Sequence, residues 1–414
     1  MSSVKLSAAQ VLDAKFKTVS LVRGPELGLK PHSLRVGDGA GGWAWQPGEF
    51  RFLHAPDSWV MPFGMVQMDN GEVALLGAVG EEKLLGKQQT ACAAFSSDGG
   101  STWTDWHLVP DAPGRPMGLA YLGGGKLSFT LEHTDRRFYS SDYGRTWPER
   151  VGIPAAAEGE ALFRGCGWHG EGAPLVERDA AGKVAIAEVG WQNLVNYPAG
   201  PTINYFRWSL DGGRTWGKAL SPKEWLWQDD WEGKTHLRGV SEGSVVRANN
   251  GWLVGGLRTD MPARWIAAKN DQYEGCAVSI SKDNGQTWSP LQTLHRGGRM
   301  HMHFVKMPDG ALVMIYVMRH DIAPDGIRYS SYLRGCGALV SRDNGLTWNL
   351  TREYRLHEFD FATAAEGSKG QGIAASACGH TCSTLLGDGS ILTAYGHYIS
   401  KGIALIRWRL PAAR

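Results

Sequence analysis

Imidazole, guanidinium and carboxylate side chains gather at one kind of position in this 414-residue chain, near strand ends on either side of glycine turns. Such groups are rarely buried without partners, so their recurrence predicts a polar pocket. Carboxylates and imidazoles can transfer protons there, and guanidinium groups can hold an anion. The candidate catalytic residues are Glu242, His301, His380 and Glu171. The candidate substrate-binding residues are Arg258, Arg319, Arg115, Arg238, His303, His169 and Trp59.

A repeated phrase of eight residues indicates the frame that must position these groups. The pattern S-x-D-x-G-x-T-W occurs five times, at residues 96–103, 140–147, 209–216, 281–288 and 341–348. Its Asp can accept hydrogen bonds from the backbone N–H groups that follow, and its Gly can take a positive φ at little cost. We therefore interpret the phrase as a structural turn. The alternative, a calcium loop, lacks the closing Glu that such a loop needs.

A second repeat consists of glycine turns between apolar runs, which are hairpin signals. They lie at residues 68–77, 122–130, 179–190, 248–258, 307–319 and 386–396. Five of the six are followed by one copy of the phrase, so each unit predicts four antiparallel strands. Six units predict an all-β fold, a six-bladed β-propeller in a single domain spanning residues 1–414.

The N-terminal residues 1–58 precede the six blades of residues 59–414. We expect residues 15–23 to close the ring as an outer strand and residues 24–58, rich in Gly and Trp, to form a loop. The first residues lack the apolar segment of a secretory leader. This favours a cytoplasmic protein, or a secreted or periplasmic one if a leader has been removed.

Composition excludes some classes of partner. A net charge of +2 gives no electrostatic support for nucleic-acid binding. No apolar run approaches the ~20 residues that span a bilayer. The six cysteines show no metal-type spacing, and we expect small buried residues rather than disulfides. The oligomeric state is not predicted.

The phrase resembles the Asp box, or BNR repeat, of sialidases and related proteins, and the resemblance covers roughly residues 60–410. In that family the Asp boxes face away from the active site. Residues 241–258 resemble the sialidase stretch whose Glu activates a tyrosine nucleophile and whose Arg binds the substrate carboxylate. The resemblance implies these roles for Glu242 and Arg258, and by position a similar role for Arg319.

Three parts of sialidase chemistry differ in this chain. Residues 60–63 read VMPF where the family has an Arg-Ile-Pro motif, so that carboxylate-binding Arg is missing. Cys382 stands where the tyrosine nucleophile is expected. The loop after the first hairpin offers Glu81 and Glu82 instead of the acid/base Asp.

Three functions remain open, all with an oligosaccharide or polysaccharide as the partner. The preferred one is a sialidase-like glycoside hydrolase that cleaves a terminal, acidic sugar, with Glu242 as base and Glu171, Glu81 or Glu82 as acid. In this hypothesis Trp59, Trp168 and Trp191 are candidates for stacking on sugar faces. A glycan-binding propeller without catalysis is the non-enzymatic alternative.

The alternative enzymatic function is a polysaccharide lyase of the propeller type, which uses His, Tyr and Arg chemistry on a uronate-containing glycan. The many histidines favour it, because elimination needs a base for the C5 proton. His301 and His303 are two residues apart, which predicts that both face one side of a strand. With His380 or His236 they would offer ligands for a divalent metal, but we expect no cofactor and prefer a hydrogen-bonding role.

Overall fold

A computed structural model describes most of the chain, and every statement below concerns the described residues. They are 18–19, 28–55, 58–81, 89–132, 134–158, 166–192, 199–268, 273–319, 321–322, 329–331, 333–360 and 378–411. Asp57, Glu82 and Arg164, which lie near expected blade ends, fall outside these ranges, and so does the side chain of Glu81. No helix in the described part is long and apolar enough to cross a membrane.

The strands of the N-terminal region and of the first three blades follow one another along the chain. The N-terminal strands are β1 (Thr18–Val19), β2 (Lys30–Gly37) and β3 (Trp43–Leu53). Blade one contains β4 (Ser58–Gln67), β5 (Val73–Glu81), β6 (Gln89–Ser96) and β7 (Trp106–Pro113). Blade two contains β8 (Pro116–Gly123), β9 (Lys126–Leu131), β10 (Arg136–Ser140) and β11 (Glu149–Gly152). Blade three contains β12 (Leu175–Arg178), β13 (Val184–Trp191) and β14 (Asn204–Ser209).

The later blades repeat this order, with two short hairpins between strands. The first hairpin consists of β15 (Trp227–Trp231) and β16 (Lys234–Arg238). Blade four contains β17 (Val240–Arg247), β18 (Leu253–Thr259), β19 (Gly275–Ser281) and β20 (Gln292–His295). Blade five contains β21 (Arg299–Lys306), β22 (Leu312–Met318), the hairpin β23 (Asp321–Ile322) and β24 (Tyr329–Ser331), then β25 (Leu333–Ser341) and β26 (Tyr354–Asp360). Blade six begins with β27 (Cys378–Leu385), β28 (Ile391–His397) and β29 (Gly402–Trp408). Short 3₁₀ helices span Lys223–Trp225, Ala263–Ala268 and Leu350–Arg352.

The described strands confirm an all-β propeller of antiparallel sheets. The inner strands β4, β8, β12, β17, β21 and β27 contact one another in that order, and β27 contacts β4 again. They surround a central cavity of about 310 Å³. Blade three has three strands, and a bridge between Phe206 and Leu220 lies where a fourth would be. The apolar cores lie between neighbouring sheets, and all six cysteines are buried there or beside them with free thiols.

The Asp boxes are structural turns, as predicted. In the fourth copy, Asp283 accepts hydrogen bonds from the backbone N–H of Thr287 at 2.9 Å and from its hydroxyl at 2.5 Å. These bonds lower the pKa of Asp283 to about 2. Gly285 has a φ of 91°, and a Cβ there would lie 2.0 Å from the ring of Phe206 in blade three. Each turn thus needs Gly both for its backbone and to seat the neighbouring blade.

The ring is closed by a hairpin that the sequence analysis assigned to a loop. β3 pairs with β29 as the outermost strand of blade six, and β2 pairs with β26 of blade five. The described part of residues 15–23, strand β1, pairs instead with β7 of blade one. Both expectations were therefore wrong. The Gly, Trp and Pro residues of residues 37–48 obscured the alternating pattern, although Phe50 and Phe52 pack against a core.

Five inner strands carry a β-bulge at the same level. Register shifts occur between Pro62 and Gly64, Met117 and Ala120, Val240 and Gly243, Met300 and His303, and Gly379 and Thr381. Two non-glycine bulge residues have left-handed backbones, His301 with a φ of 55° and His380 with a φ of 49°. Bulges turn side chains away from the alternation of a regular strand, and strained residues often mark functional sites. Here the bulges direct polar side chains toward one pocket.

Candidate active site

The bulges of β17, β21 and β27 bring Glu242, His301 and His380 together with Glu171, which precedes β12, at one end of the central cavity. The pocket is lined by Phe63, Glu171, Gly172, Ala173, Glu242, Gly243, His301, Met302, His380 and Thr381. The open space among them is about 10 Å³, which is room for one water molecule.

Glu171 and Glu242 form a hydrogen-bonded pair whose pKa values shift in opposite directions. Burial raises the pKa of Glu171 well above its ordinary value, and the negative charge of Glu242 raises it further. Burial also opposes ionisation of Glu242, but Arg258 and His301 outweigh burial and hold its pKa well below the ordinary value. Glu171 is therefore the member of the pair that holds its proton more tightly. A buried acid with a raised pKa can serve as a general acid.

Arg258 is held by two carboxylates at the end of β18. It forms ion pairs with Glu242, from the bulge of β17, and with Glu274, just before β19. All three side chains are largely buried. Removing either charge from such a network leaves the other charge uncompensated in a medium of low polarity. Arg258 thus stabilises the ionised form of Glu242. The role predicted for Arg258 from the sequence was substrate binding.

His301 links Glu242 to Arg319. Its Nδ1 lies 2.6 Å from Oε2 of Glu242, and its Nε2 lies 3.1 Å from Nη2 of Arg319. Because a guanidinium group only donates, Nε2 accepts and Nδ1 carries the hydrogen. Burial lowers the pKa of His301 to about 4, against the attraction of Glu242. Arg319 also donates from Nε to the carbonyl oxygen of Cys378 at 2.9 Å.

His380 packs between two rings at the mouth of the same pocket. Its ring centroid lies 4.4 Å from that of His301 and 4.4 Å from that of Phe63. Burial holds the pKa of His380 well below the ordinary value, and the neighbouring His301 and Arg115 lower it further. The imidazole is therefore neutral at pH 7 and able to accept a proton.

Three side chains offer atoms at a separation that suits a divalent cation. One carboxylate oxygen of Glu171 and one ring nitrogen each of His301 and His380 lie within 4.8 Å of one another. Both nitrogens of His301 have the hydrogen-bonding partners described above, and Glu171 holds a proton. His301 thus has a hydrogen-bonding role between Glu242 and Arg319.

Arg115 and His169 flank the pair from blades two and three. Arg115 forms a forked ion pair with Glu132. Burial lowers the pKa of Arg115, but Glu132 and Glu171 outweigh burial and raise it. His169 places its Nε2 2.7 Å from Oε1 of Glu171, and Trp191 packs against its ring. Arg115 thus lies close to the pocket, and His169 orients the proton-holding carboxyl group.

Tyr398 also belongs to the site, although the sequence analysis missed it. A Cβ on Gly379 would lie 2.0 Å from its hydroxyl oxygen and 3.0 Å from Nη2 of Arg319, so both polar atoms lie beside one backbone position. The hydroxyl is also among the groups whose charge acts on Arg115. The position of Tyr398 in the sequence could have identified it, because Tyr398 follows the second strand of its blade as Arg319 does.

Three other predicted site residues do not line the pocket. Arg238 is buried at the end of β16 and donates from Nε to the carbonyl oxygen of Met261 at 3.0 Å, so it holds a loop together. His303 lines the central cavity below the pocket, because the bulge between Met300 and His303 breaks the alternation that we assumed for this strand. Trp59 is buried against Tyr398 and has no ring face open to a sugar.

The remaining candidates pack inside the blades. Trp168 and Trp191 are buried, so neither is a platform for a sugar ring. Cys382 lies in the core between blades six and one, where burial raises the pKa of its thiol. A thiol that stays protonated in an apolar core is a poor nucleophile. His236 lies in the hairpin of β15 and β16, opposite Asp229.

Comparison with known proteins identifies one sequence repeat and one protein of similar fold. A family profile described as BNR/Asp-box repeat matches residues 279–290. No curated protein matches the chain. A protein of unknown function from Dyadobacter fermentans DSM 18053 has a similar structure, with a TM-score of 0.61 and 17% identity over 86% of this chain and 96% of that one.

Two solved enzymes are more distant in structure. The NanB sialidase from Streptococcus pneumoniae has a TM-score of 0.48 and 10% identity over 84% of this chain and 68% of that one. A polysaccharide lyase described as an ulvan lyase has a TM-score of 0.47 and 13% identity over 83% of this chain and 77% of that one. Similarity at this level shows nothing of the activity. The chain is thus a β-propeller in fold and carries a BNR/Asp-box repeat.

Proposed function

We propose that the protein is a carbohydrate-active enzyme that cleaves a glycan beside a carboxylate-bearing sugar, by β-elimination. One observation carries the proposal. A carboxyl group that holds its proton, on Glu171, and a neutral imidazole, on His380, offer reactive atoms within 4.8 Å of each other. An acid and a base so close together can act on neighbouring atoms of one face of a sugar ring.

The carboxyl pair argues against the usual arrangement of a glycoside hydrolase. Hydrolases place their two carboxyl groups roughly 5 to 9 Å apart, so that the sugar or a water molecule fits between them. Glu171 and Glu242 instead share a hydrogen bond. These two residues therefore approach a glycosidic bond from the same side, as one unit. This weakens the hydrolase that the sequence analysis preferred, in which Glu242 is the base and Glu171 the acid.

The elimination uses the residues of the pocket in defined roles. His380 removes the proton from C5, the ring carbon next to the carboxylate. The electron pair of the broken C–H bond forms the C4=C5 double bond, the C4–O bond breaks, and the leaving oxygen takes the proton of Glu171. Arg115 and Arg319 stabilise the negative charge that develops on the carboxylate. Arg258 and His301 keep Glu242 ionised, which maintains the proton on Glu171.

A hydrolase remains a second candidate because of Tyr398. The hydroxyl of Tyr398 lies beside Arg319, and its charge acts on the pKa of Arg115. Tyr398 therefore lies on the cationic side of the pocket. A tyrosine in such surroundings would be the nucleophile of a sialidase-like reaction on a terminal acidic sugar, with Glu171 as the acid. In that case Tyr398 replaces the tyrosine whose expected place is taken by Cys382.

Product analysis distinguishes these functions. The purified protein is incubated with uronate-containing and sialylated glycans, and both the ultraviolet absorbance of unsaturated uronate and the release of reducing ends are recorded. Absorbance supports elimination. Reducing ends without absorbance would support the Tyr398 hydrolase, and binding without either product would support a non-catalytic propeller.

Variants then test the roles of the acid and the base. We expect Glu171→Gln and His380→Gln each to reduce the rate by about 100-fold or more, because a general acid or base contributes at least that factor. His107→Gln, at an exposed position on β7, is the matched control. Wild-type rates in both pocket variants, with the fold intact, would refute the assignment.

A further inference from the structure

Two tryptophans on β3 are exposed to solvent far from the pocket. Trp43 is 41% exposed and Trp45 is 68% exposed, in a protein whose other described tryptophans are mostly buried. Large exposed aromatic side chains are unfavourable in water, and in clusters they mark binding surfaces. We call these two residues, with the neighbouring Arg35, the tryptophan strip.

The strip is rigid, because it lies on a regular hairpin. Trp43 pairs with Gly37 and Trp45 pairs with Arg35 across β2 and β3. Residues two apart on a strand face the same side, about 7 Å from each other. Gly37 has no side chain, so the guanidinium group of Arg35 extends diagonally over the ring of Trp43, with its carbon 4.3 Å from the ring centroid. The ring of Trp45 stays open.

Three guanidinium groups lie in or beside the strip, and two of them are paired with carboxylates. Arg35 is held in place by a forked ion pair with Glu358, at 2.7 Å for both bonds. The guanidinium carbon of Arg355 lies 5.6 Å from the ring centroid of Trp43, and Arg355 is itself paired with Glu353 and Glu358. The exposed Arg352 lies next to Gly39 at the tip of the hairpin. Flat aromatic rings suit the C–H faces of sugars, and guanidinium groups suit carboxylates or sulfates.

We infer that the tryptophan strip is a second binding site for an acidic polysaccharide chain. The class of ligand named in this inference rests on the proposed function. The strip lies near the Asp-box end of blades five and six, because the backbone N–H of Gly37 bonds to the carbonyl of Glu353, shortly after the fifth Asp box. The pocket lies at the opposite end of these blades. One polymer chain can contact both sites only if it is long, so the strip retains polymers and leaves short oligosaccharides unaffected.

Binding to the strip is measured apart from catalysis. Native gels containing polygalacturonate, alginate or a neutral glucan are run with the Glu171→Gln protein, which holds the pocket inactive. We expect an acidic polysaccharide to retard this protein, and added salt to weaken the effect. Introducing Trp43→Ala and Trp45→Ala together into the Glu171→Gln protein should raise its apparent Kd for the acidic polysaccharide by about ten-fold. Trp231→Ala is the matched control, because Trp231 is 39% exposed on the separate hairpin of β15 and β16.

Three outcomes would overturn the inference. They are equal retardation with and without the two tryptophans, no retardation by any acidic polysaccharide, and sedimentation showing that the strip instead joins two copies of the chain. If the acid and base variants keep wild-type activity but the strip variant loses binding, the proposed function fails and the binding site stands.

Discussion

A single buried imidazole should make the protein less stable in acid by a predictable amount. His303 lies in the wall of the central cavity, and its Nδ1 has no hydrogen-bonding partner among the described residues. Burial alone lowers its pKa from 6.5 to about 4. The unfolded chain therefore binds a proton at a higher pH than the folded protein does. The stability contribution is complete above about pH 6.5 and falls as the pH drops toward 4.

The magnitude follows from the size of the shift. Each pH unit below the unfolded pKa costs about 1.4 kcal/mol until the folded pKa is reached. At about pH 4.5, the free energy of unfolding should be lowered by roughly 2.5 kcal/mol because of His303 alone. Gln at this position keeps a polar side chain but cannot titrate. His303→Gln should therefore be more acid-resistant than the wild type by that amount, whatever its stability at neutral pH.

Urea unfolding measures the effect. Free energies of unfolding are determined by tryptophan fluorescence for both proteins at about pH 7.5 and pH 4.5, and the change between the two pH values is compared. Other acid-sensitive groups are common to both proteins and cancel in this comparison. His107→Gln removes an exposed histidine and serves as the control. An identical loss of stability in the wild type and in His303→Gln would refute the reasoning.

Three further outcomes are expected. The rate should stay high through neutral pH, fall in acid as His380 gains a proton and fall in alkali as Glu171 loses one, because burial displaces their pKa values in opposite directions; a pH–rate profile that peaks narrowly near pH 4 would contradict this. Arg258→Met should destabilise the fold by about 3 to 5 kcal/mol, since two buried carboxylates lose their partner, and unchanged denaturant unfolding would contradict it. Gly285→Ala should lower the free energy of unfolding by about 1 to 3 kcal/mol, because the new methyl group meets a phenyl ring of blade three; calorimetry showing no decrease would argue against that packing.

Repetition explains why the fold was predictable from the residues. Every Asp box makes the same bonds within itself, as Asp98 does with Thr102 and Asp343 does with Thr347. A motif whose partners lie within four residues adopts its structure independently of the rest of the chain. The glycine hairpins are equally local, so the blades and their order could be read directly. The closing hairpin was missed because β3 pairs with β29, from the other end of the chain.

The candidate site was predictable in its members but only partly in its arrangement. Glu242, His301, His380 and Glu171 do converge in one pocket. A regular strand would place His303 beside His301, and Tyr398 was not among the predicted residues. A one-residue bulge reverses the side to which a side chain points, and nothing in the local sequence of β21 announces it.

The sequence by itself determined the turns, the blades and the kinds of polar groups available, because each depends on contacts between residues close together in the chain. Only the tertiary structure decided which groups meet. Ring closure brings strand ends from blades two to six around one axis, and the bulges select the side chains that face it. The protonation states of Glu171 and His380 are consequences of that meeting, because burial and neighbouring charges set them.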